Sequence, residues 1–123
     1  MKLVICEKPS VGAAVAAALG VTGRKDGYIE GNGYLISWCI GHLVQLSEAA
    51  AYGEQYKKWS YDSLPILPQE WQYTVAADKG KQFKILKDLM QRSDVSEVVN
   101  ACDAGREGEL IFRFVYHQAG CKK

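Results

Sequence analysis

The sequence predicts a three-layer α/β fold: a mainly parallel sheet of about four strands, helices on both faces, and one added hairpin. Three observations carry this. Short apolar runs at residues 2–6, 71–76 and 97–102 alternate with helix-like segments at 9–19, 79–92 and 108–118, the pattern of βα units. The first and last of these strands each run into a turn that combines an acid, a cation and a helix start, Glu7-Lys8-Pro9 and Asp103-Ala104-Gly105-Arg106-Glu107. A length of 123 residues with 48% hydrophobic content suits one domain, residues 1–123, with a sizeable core.

Taken in order, residues 2–6 read as a buried strand, and Pro9 opens a helix rich in Val and Ala that Gly20 ends. Tyr28-Ile29-Glu30 and residues 33–40 read as a hairpin turning at Gly31-Asn32, with Tyr34, Ile36 and Trp38 alternating against Leu35, Ser37 and Cys39. Residues 42–70 show little periodicity. A connection that long inside a small domain is usually functional or packs on a neighbouring domain. A strand at 71–76 follows, then an amphipathic helix at 79–92 with Phe83, Ile85, Leu86, Leu89 and Met90 on or near its buried face. The last strand and helix are residues 97–102 and 108–118.

The formal net charge of +1 argues against a domain that grips DNA by itself, because phosphate neutralisation supplies most of such affinity. Cys6, Cys39, Cys102 and Cys121 show no paired metal spacing and read as reduced residues of a cytoplasmic protein. No apolar run is long enough to span a bilayer, and the start leads straight into a strand. Trp38, Trp59 and Trp71 read as core or interdomain packing in preference to base-stacking platforms.

If the strands at 2–6 and 97–102 lie side by side and parallel, Glu7, Asp103 and Glu107 converge at their C-terminal ends, where open α/β sheets place their chemistry. Three carboxylates beside Lys8 and Arg106 describe a Mg²⁺ site for phosphate chemistry. Acids in a first helical turn can merely complement the helix dipole. The presence of Asp103 just upstream and Glu7 on a second strand favours the functional reading. Lys8 sits at a helix start, where phosphates are favoured.

Glu7-Lys8-Pro9-Ser10, Gly41-His42-Leu43 and Asp103-Ala104-Gly105-Arg106-Glu107-Gly108-Glu109, in that order and roughly that spacing, resemble the toprim domain that opens type IA DNA topoisomerases, most closely the topoisomerase III branch. The resemblance covers essentially the whole chain. It implies a Rossmann-like toprim fold and ATP-independent transesterification, in which a tyrosine of another domain attacks a DNA phosphodiester. Within that scheme Lys8 and Arg106 steady the scissile phosphate, Mg²⁺ held by Asp103 and Glu107 with Glu7 positions the DNA for religation, and Glu7 handles a proton on the sugar hydroxyl. His42 joins Lys8 and Arg106 as a DNA contact through the Gly41-His42-Leu43 match. The implied partner is single-stranded DNA, bound together with the remaining domains of the parent. None of the seven tyrosines matches the attacking residue, so the chain alone is expected to be inactive and monomeric. Gly105 stands where the family usually has a second aspartate, which removes one potential ligand. The alternative reading is a stand-alone toprim nuclease or primase-like protein. It would need its own substrate grip, and the near-neutral charge speaks against one. A binding module without catalysis would leave the convergence of Glu7, Lys8, Asp103, Arg106 and Glu107 without a purpose.

Overall fold

The computed structural model describes residues 1–123. Strand β1 (Lys2–Cys6) leads into helix α1 (Pro9–Ala18), and β2 (Gly23–Lys25), β3 (Tyr28–Gly31) and β4 (Tyr34–Trp38) form a meander. A small ribbon of β5 (Val44–Leu46) and β6 (Tyr73–Val75) brackets three short 3₁₀ turns. Helix α2 (Gly80–Gln91), β7 (Glu97–Ala101) and α3 (Arg106–Gln118) complete the chain. The main sheet has the order β2-β3-β4-β1-β7, with β1 parallel to both β4 and β7 and the β2-β3-β4 ladders antiparallel.

Side chains of β1 enter two cores in alternation, as the period of a strand covered on both faces requires. Leu3 and Ile5 join Leu35, Leu86, Leu89, Ile111, Phe112 and Val115 on the α2 and α3 side. Val4 and Cys6 join Ile36, Ile29 and Ala16 on the α1 side. The three layers expected from the sequence are therefore present. Gly12 of α1 lies against Trp38, and a Cβ there would approach the indole Cε3 to 2.7 Å, so the small residues of this helix set how closely it packs.

Several elements differ from the sequence reading. The sheet has five strands, not about four, because the three-residue β2 pairs with β3. The hairpin turns at Asn32-Gly33, not at Gly31-Asn32: both turn residues have positive φ, 49° and 80°, as a two-residue loop matched to strand twist demands. Asn32 also donates its Nδ2 to the Gly20 carbonyl at 2.8 Å, capping the end of α1. The strand at 71–76 shortens to β6 and pairs with β5, outside the main sheet. Helix α3 begins at Arg106, two residues before the expected start. Gln82, absent from the expected buried face of α2, is buried and donates its Nε2 to the Trp38 carbonyl at 2.8 Å. Trp38 is half-buried against α1, whereas Trp59 is 85% exposed and so belongs to no core of this chain.

The end of α2 is tied down by Arg92, which donates to Asp94 Oδ2 at 2.7 Å and Glu30 Oε1 at 3.0 Å. The hydrogen bond from Arg92 holds the Asp94 carboxyl below its ordinary value. Because the unfolded chain then binds the proton first, the contribution of Asp94 to stability is complete above the ordinary carboxylate pKa and is lost as pH falls through the folded value. Thermal melts across the acid range are expected to show a shallower pH dependence for Asp94→Asn than for wild type. Identical slopes would mean that the pair adds nothing measurable, the common fate of exposed ion pairs.

Candidate metal and phosphate site

The register aligns the C-terminal ends of the three parallel strands: Cys6 pairs with Trp38 on one side and Ala101 on the other. Everything that follows these residues emerges at one edge of the sheet. Glu7 and Lys8 leave β1, Asp103 leaves β7, and His42 lies four residues beyond β4. Helices α1 and α3 start from the same edge. Lys8 is the N-cap of α1 with Pro9 as its first residue, and Gly105 is the N-cap of α3, with Arg106 next and Glu107 and Glu109 in the first turn. Two helix N-termini at the same edge as several acids can serve both a cation and a phosphate.

Two direct contacts link the elements. The backbone amide of Asp103 donates to Glu7 Oε1 at 3.4 Å, joining the ends of β1 and β7. His42 Nε2 lies 3.3 Å from Glu107 Oε1, joining the β4 end to α3. Glu7 and His42 are half-buried, whereas Lys8, Asp103, Arg106 and Glu107 are exposed to incoming solutes. Lys8 and Arg106 form no ion pair here, which leaves both cations open to an anion.

The donor set fits a hard cation in type. Glu7 and Asp103 flank one another at the strand ends, and Mg²⁺ needs only one or two protein carboxylates because it retains several waters. Glu107 is turned toward His42, and no three acids, histidines or cysteines stand close enough together to grip an ion at once. The third carboxylate would reach an ion only by exchanging its histidine contact.

Sequence reasoning missed four supporting residues. Asn100 donates to Glu109 Oε2 at 2.8 Å and accepts the Cys102 amide at 3.1 Å, while Arg113 donates to Glu109 Oε1 at 2.7 Å; Glu109 is therefore held away as a brace for α3. Lys79 donates its Nζ to the His42 carbonyl at 3.4 Å, steadying the turn that presents the imidazole. Gly108 is the glycine on which the turn depends. A Cβ there would lie inside contact distance of the Asp103 carbonyl oxygen, 2.9 Å from the Asp103 nitrogen and 3.0 Å from its carbonyl carbon. The sequence pattern starts the last helix at Gly108; the glycine lies inside the helix because α3 begins at Arg106, and a glycine so placed marks close backbone approach. The cysteines behave as core groups: burial pushes the Cys6 thiol up to about 11. The fully buried Cys39 thiol is raised further by its neighbour Cys102 and by burial, so it keeps its proton.

Gly105 carries no such steric constraint. Its backbone is extended, with φ −154° and ψ 170°, and a Cβ there would meet nothing within 4 Å. Any residue fits. Gly105→Asp is expected to melt at or slightly above the wild-type temperature, since an aspartate N-cap is worth a few tenths of a kcal/mol over glycine. It is also expected to tighten Mg²⁺ several-fold, because a carboxylate is added beside Asp103. Calorimetric titration of Mg²⁺ alongside a melting curve separates the two effects. Unchanged affinity in a normally melting variant would move the ion away from Asp103.

A three-layer α/β domain that gathers acids, free cations and helix N-termini at the C-terminal ends of its parallel strands belongs to the class of open α/β folds, which place their ligand sites at that edge. The particular family is shown by comparison: the model of the Toprim domain matches residues 2–123, and the chain belongs to that family. It is 47% identical over 122 residues to a protein named DNA topoisomerase 3 from Shouchella clausii, which covers 99% of this chain and 17% of that relative. Proteins of the same name from Staphylococcus epidermidis and Bacillus anthracis are each 42% identical over 121 residues, covering 98% of this chain and 17% of their own. The chain thus spans only a small part of these relatives. No helix is long and apolar enough to cross a membrane.

Proposed function

We propose that the chain is the metal-binding toprim domain of a type IA DNA topoisomerase of the topoisomerase III branch, cytoplasmic, and acting on single-stranded DNA together with domains outside this chain. The observation that carries the reading is the junction of Glu7 with Asp103 at the ends of adjacent parallel strands, set in a chain that matches DNA topoisomerase 3 relatives over 98–99% of its length. An exposed lysine at the start of α1 and an exposed arginine at the start of α3 support a phosphate between them.

In this reading Lys8 and Arg106 bind and orient the scissile phosphate, Arg106 as a planar fork and Lys8 as a point charge. His42, anchored by Lys79 and paired with Glu107, contacts the DNA beside them. Glu7, whose carboxylate is steadied by the Asp103 amide, accepts the proton of the attacking sugar hydroxyl during religation and returns it during cleavage. Glu7 and Asp103 would hold Mg²⁺, joined by Glu107 where it exchanges its contact with His42, and the ion would supply positive charge against the phosphate and so position the DNA ends. The attacking tyrosine comes from another domain.

The test is direct. The 123-residue chain is expected to bind Mg²⁺ without relaxing supercoiled DNA, and the reading frame beyond Lys123 is expected to continue into a tyrosine-bearing domain. Relaxation by the purified chain alone, or a stop codon after Lys123, would overturn the assignment.

A further inference from the structure

The segment between β5 and β6 is anchored at its base and bare at its tip. At the base, Tyr52 accepts the Gln72 amide at 2.8 Å and packs edge-on against Trp71 at 6.2 Å, and Ser47 and Thr74 share a hydrogen bond. Beyond this anchor Trp59 is 85%, Tyr61 98% and Leu67 79% exposed. A groove of about 400 Å³ runs between Tyr52, Tyr56, Ile66, Leu67 and Pro68, with Gln69, Glu70 and Gln72 along its polar side. A hollow of about 460 Å³ that shares Tyr56 and a smaller one that shares Ser60 and Leu64 continue it to Trp59 and Tyr61. A tryptophan, a tyrosine and a leucine left in water beside a continuous groove are the anchors of an interface, since monomeric surfaces rarely carry such a patch without use.

The charge of the segment selects its occupant. Residues 49–72 carry Lys57 and Lys58 against Glu54, Asp62 and Glu70, a slight negative excess. A surface for a nucleic-acid backbone requires the reverse. The relatives enclose nearly all of this chain in 17% of their length, so most of each relative is polypeptide tethered to such a domain at high effective concentration.

We infer that the 59–71 surface is an interdomain docking face, covered by an apolar, uncharged surface of the polypeptide that lies outside this chain in the parent. This rests on the reading of the chain as one domain of a longer enzyme. It adds where that enzyme closes on the domain: on Trp59, Tyr61, Leu67 and the adjoining groove, a separate surface from the acids at the sheet edge.

The test is hydroxyl-radical footprinting, read by mass spectrometry, of the full-length parent and of the 123-residue chain. Trp59 and Tyr61 are expected to label several-fold less in the parent, and the triple variant Trp59→Ser, Tyr61→Ser, Leu67→Ser is expected to lower the melting temperature of the parent while leaving that of the 123-residue chain unchanged. Equal labelling in the two proteins would overturn the inference. So would protection that appears only with a single-stranded oligonucleotide, or protection of the short chain that grows with its own concentration. A parent that relaxes DNA while both aromatics stay reactive removes the interface and leaves the proposed function standing. An inactive parent with both protected does the reverse.

Discussion

Gly108→Ala is expected to destabilise the domain by about 1–3 kcal/mol, the range for forcing atoms into a packed site, even though alanine is ordinarily the better helix residue by about 1 kcal/mol. The sign reverses because the added methyl has no room. It would overlap the Asp103 carbonyl oxygen and press on the rest of that peptide, which is backbone and cannot rotate aside as a side chain would. Relief must come from the Asp103-Ala104-Gly105 turn, where the Gly105 amide already donates to the Asp103 carbonyl at 2.7 Å. Moving Asp103 also breaks its amide contact with Glu7, so the Mg²⁺ affinity proposed for this site is expected to fall together with stability. A drop in melting temperature of roughly 4–12 °C corresponds to this range for a domain of this size. Gly105→Ser is the control, three residues away, extended and facing open space at an N-cap where serine serves at least as well as glycine. It is expected to melt as wild type. Equal behaviour of the two variants would remove Gly108 from its role in shaping the turn.

Lys8→Ala in the full-length parent is expected to slow DNA cleavage and religation by about 10²–10³, the usual cost of removing one preorganised donor from a site of developing charge. DNA binding is expected to change far less, because one phosphate contact among many contributes modestly to affinity and lowers the salt slope by about one. Folding is not expected to suffer: the Lys8 side chain is exposed and makes no capping hydrogen bond, and Pro9 and the extended Lys8 backbone still define the helix start. Lys8→Arg keeps the charge and is expected to restore part of the rate. Parallel losses of binding and rate in Lys8→Ala would reduce Lys8 to a docking contact.

Most of the fold was legible because its signals are local. The apolar runs at 2–6 and 97–102, Pro9 at a helix start and the amphipathic pattern of α2 each report on their own neighbours in the chain. Where the reading slipped, a non-local or purely conformational term was at work. Gly31, Asn32 and Gly33 all tolerate positive φ, so composition cannot say which pair turns the hairpin; the β3-β4 register does, by pairing Gly31 with Tyr34. Gln82 reads as a surface residue of α2 until the carbonyls of Gly27 and Trp38 are brought to it from the hairpin. The short β5-β6 ribbon was hidden because three-residue strands carry almost no period.

The candidate site divides in the same way. The sequence by itself determined which residues are candidates for chemistry, since Glu7, Lys8, Asp103, Arg106 and Glu107 are chemically suited side chains placed where strands meet helices. Tertiary structure alone decided their mutual relations. Adjacent parallel placement of β1 and β7 brings Asp103 onto Glu7, and the end of β4 delivers His42 to Glu107, across 96 and 65 residues of chain respectively. It also decided which glycine is indispensable and which aromatics are bare. The physical reason is common to all three: residue type follows from the chain, whereas distance, free space and burial arise only when segments far apart in sequence are packed against one another.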